Sequence, residues 1–173
     1  GIDNFPDSYK PYLEELAKKH PNWTFVAARL FLYDLYHKVS GFTGYKHLRE
    51  YFEKGEAEGK ILKGFKEKFD LDYLNEKIDP QRDLQFNYLG IKTLYDRYLI
   101  KDRENAPIEL PQQMFMALAM FMAQNEKNPN EWAVKFYDVI SKFEVVTATP
   151  TLANGRTTRH QLSSCYIGST PDN

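Results

Sequence analysis

Cys165 is the only cysteine of the chain, and it lies in residues 149–168, TPTLANGRTTRHQLSSCYIG, among Thr149, Thr151, Asn154, Gln161, Ser163 and Ser164. A lone thiol in this setting raises the question of what it would react with. Hydroxyl and amide groups packed into so short a span suit a polyhydroxylated or phosphorylated ligand, and they equally serve as turn and cap residues. The residue types therefore leave two readings open: a thiol beside a ligand site, or an inert thiol packed in a core. Arg159 and His160 read as a solvated loop pair, since no second histidine or carboxylate stands at a metal-ligand spacing from them. A cysteine hydrolase is a poor fit for want of a His with an Asn or Asp placed to activate the thiol. His20, His37 and His47 fall in helical stretches without a partner pattern. No phosphate loop, nucleophile elbow or zinc signature occurs.

The elements that must position this segment follow from composition and periodicity. With 173 residues, 42% hydrophobic and 15% aromatic, the chain can bury one good core. Its 23 basic and 24 acidic residues give a formal net charge of -1, so no general field draws it to nucleic acid or an anionic membrane. One cysteine excludes a disulfide framework within the chain, no window reads as a membrane span, and the expectation is a cytoplasmic protein.

Most of the chain has helical patterning. PDSYKPYLEELAKKH carries a cap at Asp7 or Ser8, and PNWTFVAARLFLYDLYHKV follows Asn22 as a central buried helix that ends at Gly41 to Gly44. YKHLREYFEKGEAEGK reads as a more exposed helix weakened toward Gly55 and Gly59, followed by short helices in LKGFKEKF and LDYLNEKI. Tyr88, Ile91, Leu94, Tyr95 and Tyr98 form a stripe at helical spacing, read as core rather than as a cofactor box. YLIKDRENAPIEL suggests a short hairpin, LPQQMFMALAMFMAQNEK a packed interior helix, and NPNEWAVKFYDVISKF a helix capped by Asn128 or Asn130 and ending near Phe143.

Beyond Phe143 the character changes. EVVTATPTLANG is β-branched around Pro150, and HQLSSCYIG has the length and residue types of one strand. The fold class expected is mainly α: a helical domain over residues 1–143, then residues 144–173 as extended chain that begins something β. One strand cannot satisfy both its edges, so this tail is expected to depend on contacts outside the chain. In a regular strand Gln161, Ser163, Cys165 and Ile167 share one face, with Leu162, Ser164 and Tyr166 on the other.

ATPTLANG followed by RHQLSSCYIG resembles the segment of the ribonucleotide reductase large (catalytic) subunit in which a helical N-terminal domain gives way to the first strand of a ten-stranded α/β barrel. FVAARLFLYDLY, RDLQFNYLGIKTLYDRYL, FMALAMF and WAVKFYDVISKF follow in that family's order, so the resemblance runs from about Trp23 to the end and is closest to the class I, two-subunit enzymes. The resemblance implies that Cys165 is one of two redox cysteines that become a disulfide as the ribose 2'-hydroxyl leaves as water. It implies that Thr149 and Ser164 contact a ribonucleoside diphosphate substrate and that Asp172 contacts a deoxynucleotide effector. With Cys165 facing the ribose, strand alternation gives Ser164 a backbone contact and puts the Ser163 side chain on the substrate's face.

The family's other requirements are not met by these residues: the thiyl-radical cysteine, its Asn and Glu partners, the second redox cysteine and the C-terminal cysteine pair are absent, as is the nucleotide-binding cone ahead of FVAARL. The expectation is a piece that is inactive without the remainder of the large subunit. No cofactor is expected in this chain; a radical-generating metal cofactor belongs to a separate small subunit, and thioredoxin or glutaredoxin renews the thiols. A second class of function, a non-catalytic helical module that adds a strand to a partner sheet, predicts the same tail without a reactive thiol.

Overall fold

The computed structural model describes residue 8, residues 10–159 and residues 161–165. Eight α-helices are seen among them: α1 (Lys10–Lys19), α2 (Trp23–Ser40), α3 (Leu48–Ala57), α4 (Leu71–Lys77), α5 (Tyr88–Arg97), α6 (Pro111–Ala123), α7 (Pro129–Ser141) and α8 (Thr149–Asn154). Two 3₁₀ turns, Phe65–Lys68 and Pro80–Gln85, link them. The expected mainly α class is what the chain adopts.

Helix α6 is the centre of the molecule. Its sequence PQQMFMALAMFMA is apolar on every side after two glutamines, and residues 111 to 120 are all buried. A helix apolar all round must be enclosed, and unbranched methionines fill its irregular surroundings. Pro111 opens it where a missing N–H costs nothing, and the Gln113 side chain accepts the orphan N–H of Leu110 at 3.0 Å. Helix α7 packs along α6 through Ala133, Tyr137 and Ile140, one face at helical spacing. On the other side α2 packs against α1 and α5, with Phe31 meeting Tyr88 and Tyr95 edge-on at 6.0 and 5.4 Å. The expected tyrosine stripe of α5 is thus core. The expected central burial of α2 belongs instead to α6, because Trp23, Phe25 and Val26 of the first α2 turn lie exposed.

The helix starts that carry side-chain caps include two that the sequence reading does not single out. Asp70 accepts the N–H of Tyr73 at 3.0 Å and Asn87 that of Gly90 at 2.7 Å. Asn22 and Asn128 occupy cap positions without making the bond. Asn130 accepts the Asp70 N–H at 2.9 Å and so joins α7 to the start of α4. The expected hairpin is a single antiparallel bridge, Lys101 to Pro107, its turn held by the Asp102 carboxylate, which accepts the N–H groups of Glu104 and Ala106.

The tail departs from expectation. Residues 149–154 form α8 rather than extended chain: Pro150 fits the first helical turn, and the N–H groups of Leu152 and Gly155 donate to Ala148 O and Thr151 O. Beyond it the backbone finds a pairing partner inside the chain: Ile61 and Thr157 form an antiparallel bridge, Leu62 N–H donates to Arg156 O at 3.2 Å, and Thr158 N–H donates to Lys60 O at 3.1 Å. Residues 161–165 are irregular, and the predicted strand is not formed among the described residues. Tyr166 and Ile167 lie outside the described residues.

Candidate functional site

Thr149 is the first residue of α8 and is exposed, as are Ser163, Ser164 and Cys165. Asp172 and His160 lie outside the described residues. Asn154, the last residue of α8, donates its side-chain N–H to Gln161 O at 2.8 Å, which draws the cysteine-bearing segment back onto the helix that Thr149 opens. No hydrogen bond among the described residues joins Thr149 to residues 163–165. The packed-thiol reading does not hold in this chain, where the Cys165 side chain is exposed.

Sequence reasoning passed over what holds this segment in place. Arg156, two residues after α8 ends, is fully buried and makes a two-pronged ion pair with Glu109, which is also fully buried: Nε to Oε1 at 2.6 Å and Nη2 to Oε2 at 2.5 Å. Its remaining donors reach backbone carbonyls, with Nη1 to Leu152 O at 2.7 Å and Nη2 to Tyr98 O at 3.0 Å. Glu109 accepts the Tyr51 hydroxyl at 2.5 Å and the Ile100 N–H at 2.9 Å. One carboxylate and one guanidinium thereby join α3, the end of α5, the Lys101–Pro107 turn, the start of α6 and the end of α8.

The charges are sustained by this saturation. Burial disfavours the charged guanidinium, yet the attraction and hydrogen bonds of Glu109 outweigh it and hold Arg156 above its ordinary range. Burial, and then the charge of Glu109, push the Tyr51 hydroxyl well above its usual value, so it serves only as a donor to Glu109. A faint signal did exist: Glu109 interrupts the apolar run Pro107–Ile108–Leu110, an expensive place for a carboxylate unless it is paired.

A second buried polar cluster lies at the α6 N-terminus. The fully buried Asp83 accepts hydroxyls from Tyr36 at 2.6 Å and Tyr45 at 2.5 Å, and the side-chain amide of Gln112 at 2.8 Å. Gln112 accepts the Tyr137 hydroxyl at 2.8 Å, and that oxygen accepts the Asp79 N–H at 3.0 Å. Burial pushes the Asp83 carboxyl up to about 6, although its three donors pull the other way. Arg82 stacks on the Tyr137 ring at 4.9 Å and donates to Asp138 and Ser141 of α7 at 2.7 and 2.6 Å. This cluster is closed upon itself and braces α2, α6 and α7.

Among the described residues no group of three or more His, Cys, Asp or Glu side chains converges in a way that could hold a metal ion. No helix of the described residues is long and apolar enough to cross a membrane.

An α-helical body ending in a tethered Cys165 segment is the arrangement for which the comparisons with known proteins give a family. Residues 84–160 match the family described as "Ribonucleotide reductase, all-alpha domain". The chain is 76% identical over 164 residues, 95% of its length, to a ribonucleoside-diphosphate reductase subunit alpha of Helicobacter pylori. It is 40% identical over 164 residues, 90% of its length, to the subunit alpha of Chlamydia trachomatis, and 28% identical over 91% of its length to that of Enterobacteria phage T4. These stretches are 21%, 16% and 22% of the respective relatives, so the chain spans about a fifth of the length of the curated relatives it matches. The chain belongs to the ribonucleotide reductase large-subunit family and corresponds to an N-terminal part of that subunit.

Proposed function

We propose that this chain is the N-terminal part of a ribonucleoside-diphosphate reductase catalytic subunit, inactive without the remainder of that subunit. The 76% identity to a ribonucleoside-diphosphate reductase subunit alpha over 95% of the chain carries the reading. In the complete subunit Cys165 and a second cysteine each give up one electron and one proton and join as a disulfide. The two electrons reduce the ribose, and the 2'-hydroxyl departs as water. A radical-generating metal cofactor on a separate small subunit supplies the radical, and no metal-holding role falls to this chain. Thioredoxin or glutaredoxin then returns the disulfide to thiols.

Thr149 and Ser163 offer hydroxyls, and Ser164 a backbone group, to the ribonucleoside diphosphate; Asp172 faces the deoxynucleotide effector. Exposure of Cys165, Ser163, Ser164 and Thr149 suits groups completed by the rest of the subunit. The test is turnover by the full-length subunit with its small subunit, where Cys165→Ser is expected to abolish multiple-turnover deoxynucleotide formation because a hydroxyl cannot form the disulfide. Normal output from that variant would overturn the reading and leave a strand-adding helical module in its place.

A further inference from the structure

The Arg156–Glu109 pair lies outside the set of residues expected to touch substrate, yet it ties the end of α8, in the segment that carries them, to the helical body. We infer that Arg156 and Glu109 are positioning residues for substrate reduction: together they fix the α8 and Cys165 segment against the helical body. The inference rests on the functional reading above.

Three observations carry it. First, Arg156 is tied to α8 itself, because Nη1 donates to Leu152 O at 2.7 Å, so the guanidinium caps the helix that Thr149 begins. Second, the backbone from this residue onward is held by pairing with residues 60–62, through the Leu62 N–H to Arg156 O and Thr158 N–H to Lys60 O bonds, and Thr158 Oγ1 donates to Gly59 O at 3.2 Å. Chain direction is therefore fixed as it leaves toward Gln161 and Cys165. Third, Gly155 allows the approach: a Cβ there would meet Leu118 Cδ1 at 2.6 Å and Thr151 O at 2.8 Å, so α8 sits directly on α6. Thr149 and Cys165 stand on opposite sides of this anchor along the chain, and both are exposed.

A charged pair with both side chains fully buried is a poor way merely to fill space, because apolar residues of the same volume usually serve stability as well or better. The planar fork of Arg, with five hydrogen bonds in fixed directions, instead sets an orientation. Misplacement of a reacting group by about 1 Å costs on the order of a hundredfold in rate.

The experiment uses the full-length subunit with its small subunit and two variants, Arg156→Lys, which keeps the charge and loses the fork, and the double variant Arg156→Met/Glu109→Leu, which removes the charges together. Folded fraction is read by circular dichroism, and kcat and KM for the ribonucleoside diphosphate are measured separately. A positioning role predicts, for protein with a native spectrum, a KM raised about fivefold or more with kcat about tenfold lower, and no recovery in the double variant even where its thermal midpoint equals that of the wild type. A purely structural role predicts a kcat that falls only with the folded fraction at unchanged KM, or a double variant with wild-type kinetics; either result overturns the inference. Failure of both variants to reach a native spectrum overturns it as well, since the pair would then be a requirement of the fold. Cys165→Ser in parallel separates the two claims: an active Cys165→Ser enzyme sinks the functional reading, whereas an inactive one beside unaffected Arg156 variants sinks only this inference.

Discussion

At the residue scale the two buried carboxylates illustrate opposite solutions to the same problem. Glu109 is paired with a guanidinium; Asp83 has only neutral donors and keeps a raised carboxyl of about 6. The sign of its effect on stability follows. An unfolded Asp titrates near about 3.9, so between that value and about 6 the folded chain keeps a proton that the unfolded chain has lost. The contribution is fully present below about pH 4 and is lost as pH rises through 6. Two units correspond to about 3 kcal/mol. Asp83→Asn removes this titration while leaving the surface carboxylates alone. Urea unfolding at pH 4.5 and pH 7.5 is expected to show the wild type losing about 2 kcal/mol relative to Asp83→Asn over that interval; equal pH dependence in the two proteins would mean the Asp83 carboxyl is not raised by burial. A second residue-scale expectation concerns the substrate: in the full-length enzyme Thr149→Val should weaken diphosphate binding by about 1 kcal/mol, the usual net worth of one hydrogen bond, while Ser164→Ala changes KM little because its contact is through backbone. A large loss at Ser164 with none at Thr149 would show that the Ser164 side chain, not its backbone, makes the contact.

At the element scale, what the sequence makes legible is what local rules decide. Tyr88, Ile91 and Leu94 face inward and the methionine-rich helix is interior, whereas Asn22 and Asn128 sit at the cap positions read from the sequence without making the cap bond. What it hides is decided by partners far along the chain. EVVTATPTLANG looks β-branched, but residues 149–154 become helical once Pro150 sits in a first turn and Arg156 finds Glu109 forty-seven positions upstream. Of the candidate site, Cys165 and Thr149 are visible by residue type, while the charged pair that anchors their segment is not. Gly55 is the same lesson at one position: read as a weak point of α3, it is instead a contact, since a Cβ there would lie 2.2 Å from Ile61 Cδ1 and 2.6 Å from Cγ1. Gly55→Ala should gain up to about 1 kcal/mol of helix propensity and lose more, about 1–3 kcal/mol, to overpacking against a fully buried Ile61. The thermal midpoint is expected to fall, and Gly55→Ala/Ile61→Val to recover part of it. A midpoint that rises in the single variant would show that Ile61 relaxes freely and that the Ile61–Thr157 bridge contributes little.

At the scale of the whole molecule the structure is graded from inside to outside. Every residue from 111 to 120 is buried in α6, enclosed by α7 and the Asp83 cluster, whereas each of residues 161–165 is exposed, with the Asn154 side chain bonded to Gln161 O. Amides with no exposed route to solvent exchange only through global opening, while an unpaired exposed backbone exchanges at nearly its free rate. Hydrogen exchange on this chain is therefore expected to be slowest over residues 114–120, intermediate over 152–158 where Arg156 and the Lys60 pairing hold the backbone, and nearly unprotected over 162–165. In the full-length subunit the last group should become protected, because the proposed barrel gives that backbone the strand partners it lacks here. Arg156→Lys should raise exchange over 152–158 without changing 114–120, since the fork is lost and the α6 core is not. Strong protection of residues 162–165 in the monomeric chain, or unchanged exchange there in the full-length subunit, would contradict the assignment of this segment as a barrel strand completed from outside.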